Sequence, residues 1–210
     1  MSSAAPRITD AKLLGGALCL DFANTVDYRL TEREHDWLSG YTALVQWSDH
    51  AGILGEEAAR GLSEVAGRQP EAAAAVLARA HDLREAIYRV FAAIAHGQPP
   101  AIDDLDALSR AWAEALPHAR LRDTATGFDW RWPEDAVALD RPLWPVAQSA
   151  VALLTTQDLT RVKMCASTDG CGWLFLDTTR NRSRQWCDIA TCGNRARARR
   201  HYARTKGRRG

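Results

Sequence analysis

The stretch MCASTDGCGWLFLDTTRNRSRQWCDIATCGNR, residues 164–195, contains four of the five cysteines in a chain of 210 residues. Their spacing is Cys165-x5-Cys171-x15-Cys187-x4-Cys192. Two pairs separated by a short insert can converge on one tetrahedral ion, and thiolates at about 2.3 Å suit zinc. We therefore expect one structural Zn²⁺ at these four residues, because four thiolates leave no open position for catalysis.

A glycine follows the second cysteine of each pair, at Gly172 and Gly193. Glycine permits the positive φ angles of tight turns, which a backbone wrapping a metal requires. Disulfides and unlinked core thiols remain alternatives to zinc, although an intracellular chain rarely keeps disulfides. His201 is an alternative fourth ligand, and Cys19 fits a buried core position.

Charge divides the chain into two parts. Residues 1–160 contain 14 Lys/Arg and 23 Asp/Glu, a net charge of −9, whereas residues 161–210 contain 13 Lys/Arg and three Asp, a net charge of +10. Such asymmetry favours a polyanionic partner for the basic part. A solvated basic tail is the alternative, which the cysteines in the same segment disfavour.

The pattern upstream of the cysteines is mostly helical and predicts a mainly α protein with a few short strands (α+β). The hydrophobic fraction of 46% is that of a packed globular protein. We expect a helical domain over 1–160, a small zinc module over 161–210, and a boundary near Leu159 to Lys163. Apolar residues at helical spacing predict helices in five regions: 41–52, 56–67, 70–97, 101–116 and 141–156.

Four short stretches are predicted to form strands. GGALCLDF, residues 15–22, predicts one strand, and HARLRD with GFDWRWP predicts a hairpin turning at Thr124 to Gly127. WLFLD, between the cysteine pairs, predicts another strand. Its Trp173 and Phe175, together with Trp186, are expected to cover the metal.

The segment after the last cysteine, GNRARARRHYART, is rich in alanine and arginine and predicts a helix. Asn194 is placed at its N-cap, and Ala198 and Tyr202 are assigned to packing against the metal centre. Arginine suits phosphate and guanine recognition because its planar fork donates in pairs. The nucleic-acid contacts expected from this helix and the preceding loop are Arg180, Arg182, Arg184, Asn194, Arg195, Arg197, Arg199, Arg200 and Arg204.

The whole pattern resembles a known pair of domains. Residues 164–204, with Cys192, Gly193, Asn194 and Arg195 as the signature, resemble the CGNR zinc finger. LCLDFANTV, LREAIYRVF, GFDWRW and LDRPLWPVAQSAVALLT look like the ABATE domain that precedes it. The resemblance implies a stress-responsive transcription regulator, with the four cysteines as zinc ligands and the finger as a binder of duplex DNA.

The acidic domain shows no catalytic motif, and we expect no enzyme. Asp21 and Asn24, with Arg84 as a possible ionic partner, are the residues that would line a pocket for a small-molecule effector; an Asx turn is the structural alternative. Alternative functions are a protein-interaction or RNA-binding module, or an enzyme with a structural zinc finger. We expect a cytoplasmic protein with no membrane partner, and a homodimer is compatible with these features.

Overall fold

The computed structural model describes residues 8–29, 31–125, 127–133 and 137–206, with only the backbone described at Thr9 and at 204–206. Six helices form the body of the molecule and a seventh ends the described chain. Their bounds are α1 Leu18–Ala23, α2 Tyr41–His50, α3 Glu56–Arg68, α4 Pro70–Ala95, α5 Ile102–Ala115, α6 Leu143–Thr156 and α7 Asn194–Lys206.

The long helix α4 is the centre of the core. It begins at Pro70, where a missing N–H costs no helical hydrogen bond. Its buried stripe includes Leu83, Ile87 and Phe91, spaced four residues apart so that they share one face. Helices α1, α2, α3, α5 and α6 all pack against it. Among the described residues, no helix is long and apolar enough to cross a bilayer.

The predicted strand at residues 15–22 is wrong, because Leu18–Ala23 forms helix α1. Cys19, Leu20, Phe22 and Ala23 are all buried, so the segment is apolar on nearly every side. A short run buried all round carries too little periodicity to separate a helix from a strand. Cys19 lies in the core as expected, and burial raises its pKa to about 12.

The strands form three antiparallel pairs rather than one sheet. The predicted hairpin is confirmed, and its turn brings Thr124 opposite Gly127. The strand predicted in WLFLD is confirmed as well, and it pairs with a strand just before the first cysteine. The strands are β1 Val26–Asp27 paired with β2 His35–Asp36, β3 Arg120–Thr124 paired with β4 Gly127–Arg131, and β5 Val162–Met164 paired with β6 Leu174–Leu176.

The β5–β6 pair joins the cysteine segment to the helical body. Val162 and Leu174 are buried in the same core cluster as Leu20 and Ile87. The side chain of Asn24, which follows α1, donates to the carbonyl of Leu174 and accepts from its N–H, both at 2.8 Å. The four-cysteine segment is therefore built directly onto the helical body.

Candidate metal centre and basic helix

The four predicted ligands meet at one point. The sulfur atoms of Cys165, Cys171, Cys187 and Cys192 all lie within 4.8 Å of one another. Cys187 Sγ is 3.7 Å from Cys171 Sγ and 3.8 Å from Cys192 Sγ. Three of the cysteines are buried and Cys171 is partly buried, and all four are free thiols. His201 is not part of the cluster.

These separations fit a tetrahedral zinc ion. Four sulfurs at about 2.3 Å from one centre are about 3.8 Å apart along each edge of the tetrahedron. A disulfide would require about 2.05 Å between the sulfur atoms. The four cysteines therefore hold one structural Zn²⁺. The ion cross-links the two loops that carry the cysteine pairs.

The local backbone turns the sulfur atoms inward. Gly172 has φ +70°, as expected for the glycine after Cys171. The corresponding expectation for Gly193 is wrong, because it lies in a helical turn, Ile189–Gly193. The N–H of Cys165 donates to the carbonyl of Trp173 at 2.8 Å and closes the first loop.

Close contact between the thiols changes their acidity. Hydrogen bonds from Cys171 and then Cys187 lower the pKa of Cys165. The hydrogen bond to Cys165 is also the main reason that the pKa values of Cys171 and Cys187 are raised. A divalent cation at the centre would stabilise the thiolates that otherwise repel one another.

Aromatic rings cover the centre as predicted. Phe175 is fully buried beside the cysteines, Trp173 is 9% exposed, and Trp186 packs partly buried against them. The Trp173 indole N–H donates to the carbonyl of Val26 at 3.2 Å. One ligand-bearing loop is thereby fixed to strand β1 of the helical body.

An N-terminal segment, residues 10–17, crosses the zinc module. The N–H of Leu176 donates to the carbonyl of Gly15 at 2.7 Å, and Lys12 pairs with Asp188 at 2.5 Å. A Cβ on Gly15 would lie 2.8 Å from Leu20 Cβ, so only glycine fits where this segment packs against helix α1. The sequence indicates nothing of this contact, because the partners are far apart in the chain.

The basic helix starts earlier than predicted. Asp188 caps the wide turn Ile189–Gly193 by accepting from the N–H of Ala190 at 2.8 Å, and α7 continues from that turn. Asn194 has φ −67° and ψ −40°, which are helical angles, so the predicted N-cap role is wrong. Because Cys192 lies within the turn, the metal centre anchors the start of the helix.

Beyond its first turn α7 keeps an ion pair between Arg199 and Asp169 of the module, but the residues predicted to pack against the metal centre do not do so. Ala198 and Tyr202 are exposed, and Tyr202 keeps 74% of its surface accessible. Their predicted packing against the zinc core is therefore wrong. The helix is too polar to bury a side; an all-polar helix of this kind is held at one end or by a partner.

The structure divides the candidate arginines into two groups. Arg184 is held inside the module: its guanidinium donates to the carbonyls of Trp186, Leu176, Leu14 and Cys187 and lies 4.2 Å from the centroid of the Phe175 ring. Arg182 pairs with Asp158 at 2.7 Å, and Arg199 pairs with Asp169. Arg195 donates to the Tyr28 hydroxyl at 3.0 Å.

The remaining described candidates face solvent. Arg180, Arg197 and Arg200 are exposed, and no carboxylate in the described part of the chain forms an ion pair with them. Asn194 is exposed and donates to the carbonyl of Ala190 at 3.1 Å. The side chain of Arg204 lies outside the described residues.

The structure does not bring Asp21, Asn24 and Arg84 into one pocket. Asp21 accepts from the N–H of Gly15 at 2.7 Å, and burial raises its pKa to about 6. Arg84 is not its ionic partner, because Arg84 binds both carboxylate oxygens of Asp36, at 2.6 and 2.8 Å. Asn24 is occupied by the backbone of Leu174. Sequence reasoning missed Asp36.

A mostly helical body joined to a four-cysteine zinc module with a projecting basic helix defines a zinc-finger protein. Comparison with known families assigns both parts. Residues 16–157 match the ABATE family, described as "putative stress-induced transcription regulator", and residues 161–205 match the CGNR zinc finger. The chain belongs to the ABATE family and carries a CGNR zinc finger at its C-terminal end. No curated protein matches the sequence.

Proposed function

We propose that the protein is a zinc-dependent transcription regulator that binds duplex DNA through α7. The observation that carries this proposal is a helix anchored at a metal centre, on which Arg197 and Arg200 are exposed and form no ion pair with any described residue. In this arrangement residues 161–210 bind the nucleic acid, and residues 1–160 hold the module and receive an effector signal.

The dimensions of α7 support insertion into a groove. Its 13 residues extend about 20 Å at 1.5 Å per residue. The major groove of B-DNA is about 12 Å wide and admits a helix. Arg197 and Arg200 are three residues apart and therefore neighbours on the helix surface. The exposed side chains of Arg197 and Arg200 can reach phosphates or base edges without breaking an ion pair within the described part of the protein.

Arginines with internal partners take other roles. The guanidinium of Arg184 is committed to backbone carbonyls and we assign it to holding the module together. Arg182 and Arg199 would have to exchange a carboxylate for a phosphate, which makes their contribution smaller than that of Arg197 or Arg200. Arg195 contacts Tyr28 of the body and can link the body to the DNA interface.

The same helix would also fit RNA or an acidic protein, and those partners are the alternative outcomes of the test. The family description favours DNA, since a transcription regulator acts on it. A homodimer and a cytoplasmic location stay predictions that follow from this role.

The test is fluorescence anisotropy of the zinc-loaded full chain on random-sequence duplexes between about 50 and 200 mM salt. Each phosphate contact contributes about 0.9 to the slope of log affinity against log salt. Replacing Arg197 and Arg200 together by alanine should therefore reduce the slope by about 1.8. Arg110→Ala, an exposed arginine on α5, is the control and should leave the slope unchanged.

Arg184→Ala provides the contrasting variant. It should lower the melting temperature of the chain, because it removes donors to four carbonyls, and any loss of DNA binding should follow the loss of folded protein. A zinc-loaded chain that binds no duplex at about 50 mM salt would exclude DNA as the partner. An unchanged slope for the double variant would exclude α7 as the interface.

A further inference from the structure

A cavity of about 220 Å³ lies where the helical body, the N-terminal segment and the zinc module meet. Its walls come from the N-terminal segment between residues 10 and 14, from Asp27 and Tyr28 at the end of β1, from Trp37 after β2, and from the module up to the first turn of α7. It extends beyond the four sulfurs, since Asp27 and Trp37 also line it. The space therefore exceeds what a single zinc ion requires, and it can hold a small organic molecule.

The walls carry an excess of negative charge. Asp10, Asp27 and Asp188 face two cations, Lys12 and Arg195, which leaves a net charge of −1. Three of the four zinc ligands also line the cavity, and a Zn²⁺ ion with four thiolates adds a charge of −2. The electrostatic field in the cavity therefore favours a cation over an anion.

Aromatic rings form much of the remaining wall. Trp37 donates its indole N–H to Asp27 Oδ2 at 3.0 Å, and Trp173 donates to the carbonyl of Val26. Both indoles are thus fixed in orientation by hydrogen bonds. Indole rings attract cations through their negative faces, and alkylated ammonium ions are the ligands that such cages hold best.

Asp27 is a half-buried carboxylate in the wall of the cavity. The neutral indoles of Trp37 and Trp173 donate hydrogen bonds to it, and His35 adds a favourable charge interaction. No lysine or arginine among the described residues forms an ion pair with it. Burial raises the pKa of Asp27 because the ionised form loses water. A bound cation would supply the charge that this half-buried carboxylate lacks.

We propose that this cavity binds a small organic cation with an alkylated ammonium group, placed beside the carboxylate of Asp27 and in contact with the indole rings of Trp37 and Trp173. The inference rests on the proposed regulator function only for its biological role, because the site itself is argued from its walls. It places the effector site at the junction of body and finger, away from Asp21 and Arg84.

The position of the cavity links it to the basic helix. Arg195, in the first turn of α7, lines the cavity and donates to the Tyr28 hydroxyl. Tyr28 itself has φ +52°, a conformation that a non-glycine residue adopts only when its surroundings enforce it. A ligand bound beside Tyr28 should therefore change the direction of the Arg195 side chain.

The experiment uses choline as the probe and 3,3-dimethylbutan-1-ol as its neutral isostere, titrated by calorimetry into the zinc-loaded full chain. The two probes share shape and hydroxyl group and differ in the charge of one atom. Choline should bind roughly tenfold or more tightly than the alcohol, because the cation gains both the carboxylate and the ring faces. Equal affinity for the two, or no binding of choline, would overturn the proposal.

Asp27→Asn tests the residue that carries the argument. The amide oxygen can still accept from the Trp37 indole, so the fold should persist, and zinc content with melting temperature checks this. The variant should lose the preference for choline, whereas Asp106→Asn, an exposed carboxylate on α5, should retain it. A preference that survives in a folded Asp27→Asn variant would contradict the site.

DNA affinity measured with and without choline separates this inference from the proposed function. Choline binding without any duplex binding supports the site and removes the regulator role. Duplex binding without discrimination between the probes supports the regulator and removes the site. If both occur, reciprocity requires that duplex DNA change choline affinity by the same factor as choline changes DNA affinity.

Discussion

Replacing Asn24 by alanine should destabilise the helical body and the zinc module together. The Asn24 side chain is 3% exposed and lies 150 positions from Leu174 in sequence, yet it satisfies both the N–H and the carbonyl of that residue. The Asn24 amide therefore makes the two hydrogen bonds that a neighbouring strand would make to Leu174 of β6. Alanine would leave two buried backbone groups without these partners.

The magnitude follows from the cost of such groups. A buried donor or acceptor left unsatisfied costs about 1–3 kcal/mol, so two should cost about 2–6 kcal/mol in free energy of unfolding. For a chain of this size each kcal/mol shifts the melting temperature by about 2–4 °C. The expected decrease is therefore about 4–24 °C.

Two probes should follow the same melting curve: helix content by circular dichroism and zinc release by a chromogenic chelator. Val162 and Leu174 share a core with α1 and α4, so the two signals should move to lower temperature together. Ser63→Ala is the control, since it removes one exposed hydroxyl contact on α3. The reasoning is refuted if Asn24→Ala melts like the control, or if only zinc release moves while helix content does not.

Two further predictions concern the metal and pH. Cys187→Ser should abolish the expected one zinc per chain in elemental analysis and lower the melting temperature of the whole chain, because metal binding and folding are coupled. Cys19→Ser, outside the cluster, is the control and should retain zinc. A Cys187→Ser variant that still binds zinc would contradict the assignment. Burial raises the pKa of Asp21 to about 6, so its contribution to stability is present below about pH 4 and is lost as pH rises through about 6. Denaturant melts of wild type and Asp21→Asn between pH 5 and pH 7 should show the wild type losing stability relative to the variant, and parallel pH profiles would refute this.

The cysteine spacing was enough to predict the metal centre. Four ligands within 28 residues can meet without help from distant parts of the chain, because the loops between them are short. The 3.6-residue periodicity was likewise enough for α2 to α6, whose apolar stripes are long. Both features depend on residues that are near neighbours in sequence.

The identity of α1 and the roles of the arginines could not be read in this way. Leu18 to Ala23 is too short and too uniformly buried for its periodicity to distinguish a helix from a strand. Arg184 and Arg197 both lie in basic stretches and cannot be distinguished by local sequence. In the folded chain Arg184 donates to the carbonyls of Leu14 and Cys187, whereas Arg197 faces solvent. Which arginine has a partner depends on segments that approach only in the folded chain.

The sequence by itself determined the mostly helical body, the zinc ligands and the basic C-terminal helix, because short-range spacing and local charge specify each of them. Only the tertiary structure decided that Asn24 binds Leu174, that Arg84 binds Asp36, and that a cavity lies beside Asp27. Asp27 and Trp37 in the cavity wall are 10 positions apart, and the Asn24–Leu174 pair is 150 positions apart. The hydrogen-bond geometry between such positions is set by how the helices pack, not by any local pattern.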